Sequence, residues 1–244
     1  MDYLYDGTFD GYLTAIFYAY NEKETSHIYK EHLYAPSFLS SHRLIPSEID
    51  KADRVYQSIL TKLSFSTLDN LYHLYLSEEA EAETLGLNYL KLCYAHSDSI
   101  NLAKNHDIIR QVDAINKRVW LEVHRFYGFV RFKEVCPRVF YAPIEPDHNI
   151  IPLMMEHFKK RFSDQHFIIH DLRRRSAIIY DTQNIFLRHL TPQESNELSK
   201  ADITDAFEPL FKAYYTSTTI PERMNLKQQN RYLPKRYHKH LVEL

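Results

Sequence analysis

At Gly128 the hydrophobic pattern of this chain changes from a period of about 3.6 residues to a period of 2, which divides it into a helical part followed by a sheet-rich part. Ahead of the change, residues 1–5 read as a short strand, and Asp6-Gly7 is a turn signal. Thr8 then caps a helix with Phe9, Leu13, Ile16, Phe17 and Tyr20 on one face. Residues 47–97 carry two helical stripes, Val55, Ile59, Leu63 and Leu85, Tyr89, Leu92, with Ser66 as a cap between them. A longer helix is predicted over about 102–126, with Ile108, Val112, Ile115, Val119 and Val123 turned inward. Beyond Gly128, residues 129–133 and 138–142 read as strands joined by a turn at Cys136-Pro137. A helix through Met154, Met155, Phe158 and Phe162 follows, then strands at 167–170, 177–180 and 185–188, and a helix near 201–215. The expected fold is α+β: a largely antiparallel sheet of five to six strands with a predominantly helical N-terminal half packed on it. Residues 1–244 are expected to form a single compact unit, helical over about 9–126 and sheet-rich over about 128–190, with a C-terminal helix and basic tail in 191–244.

Composition excludes several function classes. Only four glycines occur, and neither a P-loop nor a dinucleotide fingerprint is present. Cys93 and Cys136 lack metal-ligand spacing and cannot make the disulfide framework of a small secreted domain. No run of 18 apolar residues occurs, and no basic segment with an apolar core opens the chain, so a cytoplasmic protein without membrane contact is expected. No cofactor or metal is expected from motifs. The net charge of −2 hides an asymmetry: residues 1–100 carry 7 Lys and Arg against 15 Asp and Glu, while residues 101–190 carry 15 against 10. A basic back half suits either a phosphate-binding face or an ordinary solvated surface.

Polar residues concentrate in a few places. The turn at 5–11 offers helix-start N–H groups to an anion, but Asp6 and Asp10 would repel one and can cap the helix themselves. Near the end of the long helix, Arg118, Glu122 and Arg125 are spaced to pair on one face, and His124 is a candidate for a cleft. Glu145, Asp147 and His148 occupy a proline-stiffened loop, with Asn149 as the expected N-cap of a helix carrying Pro152 in its first turn. Carboxylates beside a histidine suit acid/base work, a metal ligand set or a rigid turn. His170 and Asp171 precede Arg173, Arg174 and Arg175, a run that suits either phosphate contacts or a solvated turn. If the two Asp/His pairs meet, Glu145, Asp147, His148, His170 and Asp171 form a candidate catalytic set for hydrolysis. The tail interleaves Arg223, Arg231, Lys235, Arg236 and Lys239 with Tyr232 and Tyr237, which suits nucleic acid or a clasp over the domain. With Arg125, Arg131 and the arginine run, these tail cations, Lys239 apart, form the candidate nucleic-acid set.

Five segments carry a family resemblance. Tyr-Asp-Gly-Thr-Phe-Asp-Gly at 5–11, Glu-Val-His-Arg-Phe-Tyr-Gly-Phe-Val-Arg-Phe at 122–132 and Tyr-Ala-Pro-Ile-Glu-Pro-Asp-His-Asn at 141–149 are three of them. Ile-His-Asp-Leu-Arg-Arg at 169–174 and Pro-Lys-Arg-Tyr at 234–237 complete the set. The chain resembles, along essentially its full length, a family of bacterial proteins of unknown function assigned to DNA metabolism. Members accompany a radical-SAM iron–sulfur protein thought to act in DNA modification or repair, and some are fused to a uracil-DNA-glycosylase-type domain. The resemblance implies an accessory that handles DNA, the radical-SAM partner, or both. It transfers no catalytic residue. The chain lacks a three-cysteine cluster motif, so it is not itself expected to be the radical-SAM enzyme, and no glycosylase module is expected before Leu244.

Overall fold

The structure is a computed structural model that describes residues 1–22, 27–36, 41–200, 208–220 and 225–241. The chain divides into two compact units, Met1–Trp120 and Leu121–Leu244. The first carries 11 Lys and Arg against 17 Asp and Glu, net −6, and the second 19 against 15, net +4.

In the first unit, strand β1 (Asp2–Tyr5) leads into helix α1 (Phe9–Ala19), then β2 (His27–Lys30) and β3 (His42–Ile45). Both neighbours of β1 run parallel to it, in the order β2-β1-β3. A parallel neighbour needs a crossover, and α1 supplies it between β1 and β2. Thr8 caps α1 as expected, its Oγ1 accepting from the Gly11 N–H at 3.0 Å. The sequence reading found β1 but missed β2 and β3, which are four residues each and carry too few apolar residues to show a period. Three helices follow: α2 (Ile49–Lys62), α3 (Phe65–Ser77) and α4 (Ala82–His96). The cap of α3 is Ser64, accepting from the Thr67 N–H at 3.1 Å, rather than the expected Ser66, which lies inside the helix. Tyr3, Tyr5, Tyr12, Leu13, Ile16, Ile28 and Leu71 form the core, and each fully buried side chain of this size contributes about 1.5–3 kcal/mol.

Helix α5 (Asp107–Phe129) contains the boundary between the units. It extends past Gly128, where a strand was expected. Phe129 belongs to the helical period, since it and Phe126 both place their rings against Tyr237, at 5.8 and 5.1 Å. The second unit then holds β4 (Lys133–Cys136), β5 (Val139–Ile144), α6 (Ile151–Arg161), β6 (His166–Asp171), β7 (Ser176–Tyr180) and β8 (Ile185–His189). The sheet order is β4-β5-β6-β7-β8, and the β5–β6 pairing is parallel while the other three are antiparallel. The result is a mixed α+β fold with its helices mostly in the N-terminal half. Helix α6 makes the β5–β6 crossover and packs Met154 and Phe158 inward. Phe132, at 5.7 Å from Phe167 and 5.0 Å from Phe162, joins that aromatic cluster. The cap of α6 is the Ile150 backbone rather than Asn149, with Pro152 in the first turn as predicted. Beyond the sheet lie α7 (Pro192–Lys200), α8 (Glu208–Thr218), α9 (Leu226–Tyr232) and a 3-10 turn at Lys235–His240. Residues 201–207 of the expected tail helix lie outside the described residues.

Candidate functional site

The parallel pairing of β5 and β6 brings their carboxyl ends together, with Pro143 opposite His170 and Ile144 opposite Asp171. The loop after β5 and the turn after β6 therefore emerge side by side at the same end of these two strands. That crevice, beyond the carboxyl ends of parallel strands, is where open sheets commonly bind ligands. Here it is a cleft of about 520 Å³. Glu145 and Asp147 come from the first loop, Arg173 from the second, and Arg236 and Lys239 from the C-terminal 3-10 turn. Helix α7 adds Ser195, Asn196 and Ser199.

Glu122 of α5 organises the loop from beneath. It is 2% exposed, and its carboxylate accepts from the Asp147 N–H at 2.8 Å, the His148 N–H at 2.9 Å and the Tyr237 hydroxyl at 2.5 Å. His148 Nδ1 lies 2.5 Å from the same carboxylate. Burial pushes the Glu122 carboxyl up, but the hydrogen bonds from His148, Tyr237 and the two backbone N–H groups outweigh it and hold it below its ordinary value. The expected ion-pair face on α5 does not form. Arg118 instead pairs with Glu79 inside the first unit, at 2.6 and 2.7 Å. His124 is exposed on the surface of α5.

The two Asp/His pairs are joined through Arg174. Its guanidinium donates to Asp171 Oδ2 at 2.9 Å and to the carbonyls of Pro146 and Asp147 at 3.1 and 2.6 Å. Asp171 is fully buried and also accepts from the Arg173 and Arg174 N–H groups, so it fixes the turn after β6. Burial raises its carboxyl, against the opposing pull of Arg174. His170 sits behind the cleft wall, with Tyr141 Oη 3.0 Å from Nδ1 and Ser195 Oγ 3.1 Å from Nε2. Burial depresses its pKa to about 4, so it is neutral at pH 7. Glu145 is held by Lys239 and by His240 at 3.1 Å, and Asp147 by Arg236 at 2.8 Å.

A pH dependence follows from His170. The unfolded chain takes up the proton near 6.5 and the folded one only near 4, so its contribution is present above pH 6.5 and lost as pH falls towards 4. His170→Gln keeps hydrogen-bonding atoms towards Tyr141 and Ser195, and is expected to flatten the decline in stability between those values. Urea midpoints of both proteins across that range check this; parallel declines would contradict it.

The other expected phosphate contacts are dispersed. Arg125 donates to the Arg231 carbonyl at 3.3 Å, and Arg131 to the Gly128 carbonyl at 2.6 Å. Arg175 is exposed at a positive φ of 51° in the turn, while Arg231 and Lys235 are exposed on the segment leading to Arg236. Arg223 lies outside the described residues. Arg173 donates to the neutral Asp147 carbonyl at 3.3 Å, and among the described residues no carboxylate lies within ion-pair distance of it. Among the described residues, no group of three or more His, Cys, Asp or Glu side chains has the geometry to hold a metal ion. No described helix is long and apolar enough to cross a membrane. The sequence reading missed α7 and the part of Glu122. Glu122 and Tyr237 are 115 residues apart, and both lie in segments quoted for the family resemblance, the one signal that could have linked them.

The fold and cleft define an α+β protein with a polar, cation-bearing crevice at the carboxyl ends of two parallel strands. A family model described as a domain of unknown function, DUF4130, matches residues 80–243, about two thirds of the chain. The chain belongs to that family, and the matched span contains every residue of the cleft. No curated protein matches it.

Proposed function

We propose that this protein is a DNA-metabolism accessory that holds the phosphates of a DNA strand in the cleft of its second unit and works beside a radical-SAM iron–sulfur partner. The observation that carries the DNA reading is the convergence of Arg173, Arg236 and Lys239 on one cleft, where Asp147 and Glu145 pair with Arg236 and Lys239 and leave Arg173 unmatched by a carboxylate among the described residues. Guanidinium forks suit phosphate oxygens, and the serines and asparagine of α7 supply neutral donors. The partner rests on the family resemblance alone. Recovery of an iron–sulfur protein with a tagged copy, after nuclease treatment, tests it.

A fluorescent single strand titrated at increasing salt tests the DNA reading. Binding is expected to fall with log salt, and each contact removed by Arg173→Ala or Arg236→Ala flattens the slope by about 0.7. The loss should be uniform across base sequences. Absence of binding at low salt, alone and with the partner, rejects it. The alternative is hydrolysis by Glu145, Asp147, His148, His170 and Asp171. It is supported by the way Glu122 fixes His148 beside Asp147. Strand cleavage in the same titration favours that alternative; an intact strand favours binding.

A further inference from the structure

A second cleft, of about 540 Å³, opens in the first unit between α1 and α2, with Leu90 and Tyr94 of α4 in its wall. Its size falls within the roughly 300–1,000 Å³ common for small-molecule sites. Among the described residues it shares none with the cleft of the second unit. The aromatic side chains of Phe17, Tyr20 and Tyr94 line it, and the rings of Tyr20 and Tyr94 meet at 5.5 Å and 83°. Among the described residues, its charged lining is Arg54 and Lys62, with neither Asp nor Glu beside them. That is unexpected in a unit with 17 acidic residues and a net charge of −6. The Arg54 guanidinium lies 5.1 Å from the Phe17 ring centroid, where the ring face favours a cation and limits its wandering. Ser58 and Thr61 add hydroxyls, with Ser58 Oγ accepting from the Tyr94 hydroxyl at 2.8 Å.

We propose that this cleft binds a nucleoside monophosphate, its base against the aromatic wall and its phosphate on Arg54, with Lys62 adding positive charge to the same cleft. A flat ring gains from stacking on Tyr20 or Tyr94. A phosphate matches the arginine fork, with the lysine as a second positive charge. Inorganic phosphate would leave the aromatic wall unused, and an uncharged nucleoside would leave both cations unused. The same base and phosphate also occur at the end of a DNA strand.

Isothermal titration of the full chain with 5′-monophosphates, their parent nucleosides and inorganic phosphate tests the assignment. A monophosphate is expected to bind about tenfold or more tightly than its nucleoside, a difference of about 1.4 kcal/mol or more. In the Arg54→Gln, Lys62→Gln double variant that difference should vanish. Both side chains are exposed, so the melting temperature should stay unchanged. Tyr20→Leu should weaken monophosphate and nucleoside alike. No binding of any monophosphate at millimolar concentration, equal affinity for nucleoside and monophosphate, or an unaltered affinity in the double variant would overturn the proposal. A 5′-phosphorylated single strand distinguishes the sources. Displacement of the monophosphate in a protein whose second cleft carries Arg173→Ala and Arg236→Ala assigns the pocket to strand ends. Failure to displace assigns it to free mononucleotides.

Discussion

Replacing Glu122 by alanine is expected to destabilise the second unit by about 3–5 kcal/mol, because several buried donors lose the one acceptor they share. The estimate follows from what is left behind. The N–H groups of Asp147 and His148 and the Tyr237 hydroxyl all donate to this one carboxylate, in a place almost closed to water. Each orphaned donor carries a desolvation penalty of about 1–3 kcal/mol, reduced where the loop relaxes towards solvent. Urea unfolding gives the total, and amide exchange at Asp147 and His148 shows whether the loss is local. A change below about 1 kcal/mol with exchange unaltered would show that Glu122 is not the anchor. Acid should reproduce part of the effect. The folded carboxyl ionises below its ordinary 4.5, so its contribution is complete above about that pH and declines as pH falls through the folded value. Glu122→Gln should lack that decline.

Gly86→Ala is expected to cost the first unit about 2–4 kcal/mol, even though alanine is the better helix former by about 1 kcal/mol. A Cβ at position 86 would lie 2.1 Å from the Tyr12 hydroxyl oxygen and 2.8 Å from Leu71 Cδ1. Tyr12 is fully buried and its hydroxyl donates to the Glu83 carbonyl at 2.8 Å, so a rigid ring would have to move out of a closed core and give up that bond. Thermal unfolding of the variant measures the cost. Companion Tyr12→Phe, Gly86→Ala measurements separate the clash from the lost hydrogen bond, because the phenyl ring removes the offending oxygen. If Gly86→Ala is as stable as the parent, the close approach of α4 to α1 is not as tight as described.

The parts of this fold legible in the sequence were those with repeated apolar spacing. Val112, Val119 and Val123 mark the long helix, and Ile169, Ile178 and Tyr180 mark the buried strands. Where a segment is short or its polar residues are structural, the pattern fails. Strand β3 exposes three of its four residues, so it carries no alternation to detect. The Phe129-Val130-Arg131-Phe132 stretch imitates a strand because a helix end and the link after it each bury a phenylalanine on a different neighbour. At the cleft, the loop around Asp147 and the turn around Arg173 stood out as polar clusters, and the parallel register brings them together. Their individual parts were hidden. Arg173 and Arg174 look identical in sequence, yet one lines the cleft and the other is spent on Asp171 and two carbonyls. Only the geometry of the turn separates them.

The buried carboxylate of Glu122 also bears on how this sequence can change over generations. Three segments far apart in the chain, at 122, 147–148 and 237, share one acceptor. A change at position 122 strands donors in the other two, whereas loss of the Tyr237 hydroxyl removes one donor and leaves the rest served. Substitution is therefore asymmetric: a phenylalanine at 237 keeps the ring packed on Phe126 and Phe129 and gives up one donor, whereas position 122 is closed until the loop has been rebuilt. Among relatives, exchange of this tyrosine for phenylalanine should precede any change of the glutamate, and a lineage that has lost the glutamate should carry a compensating change in the loop.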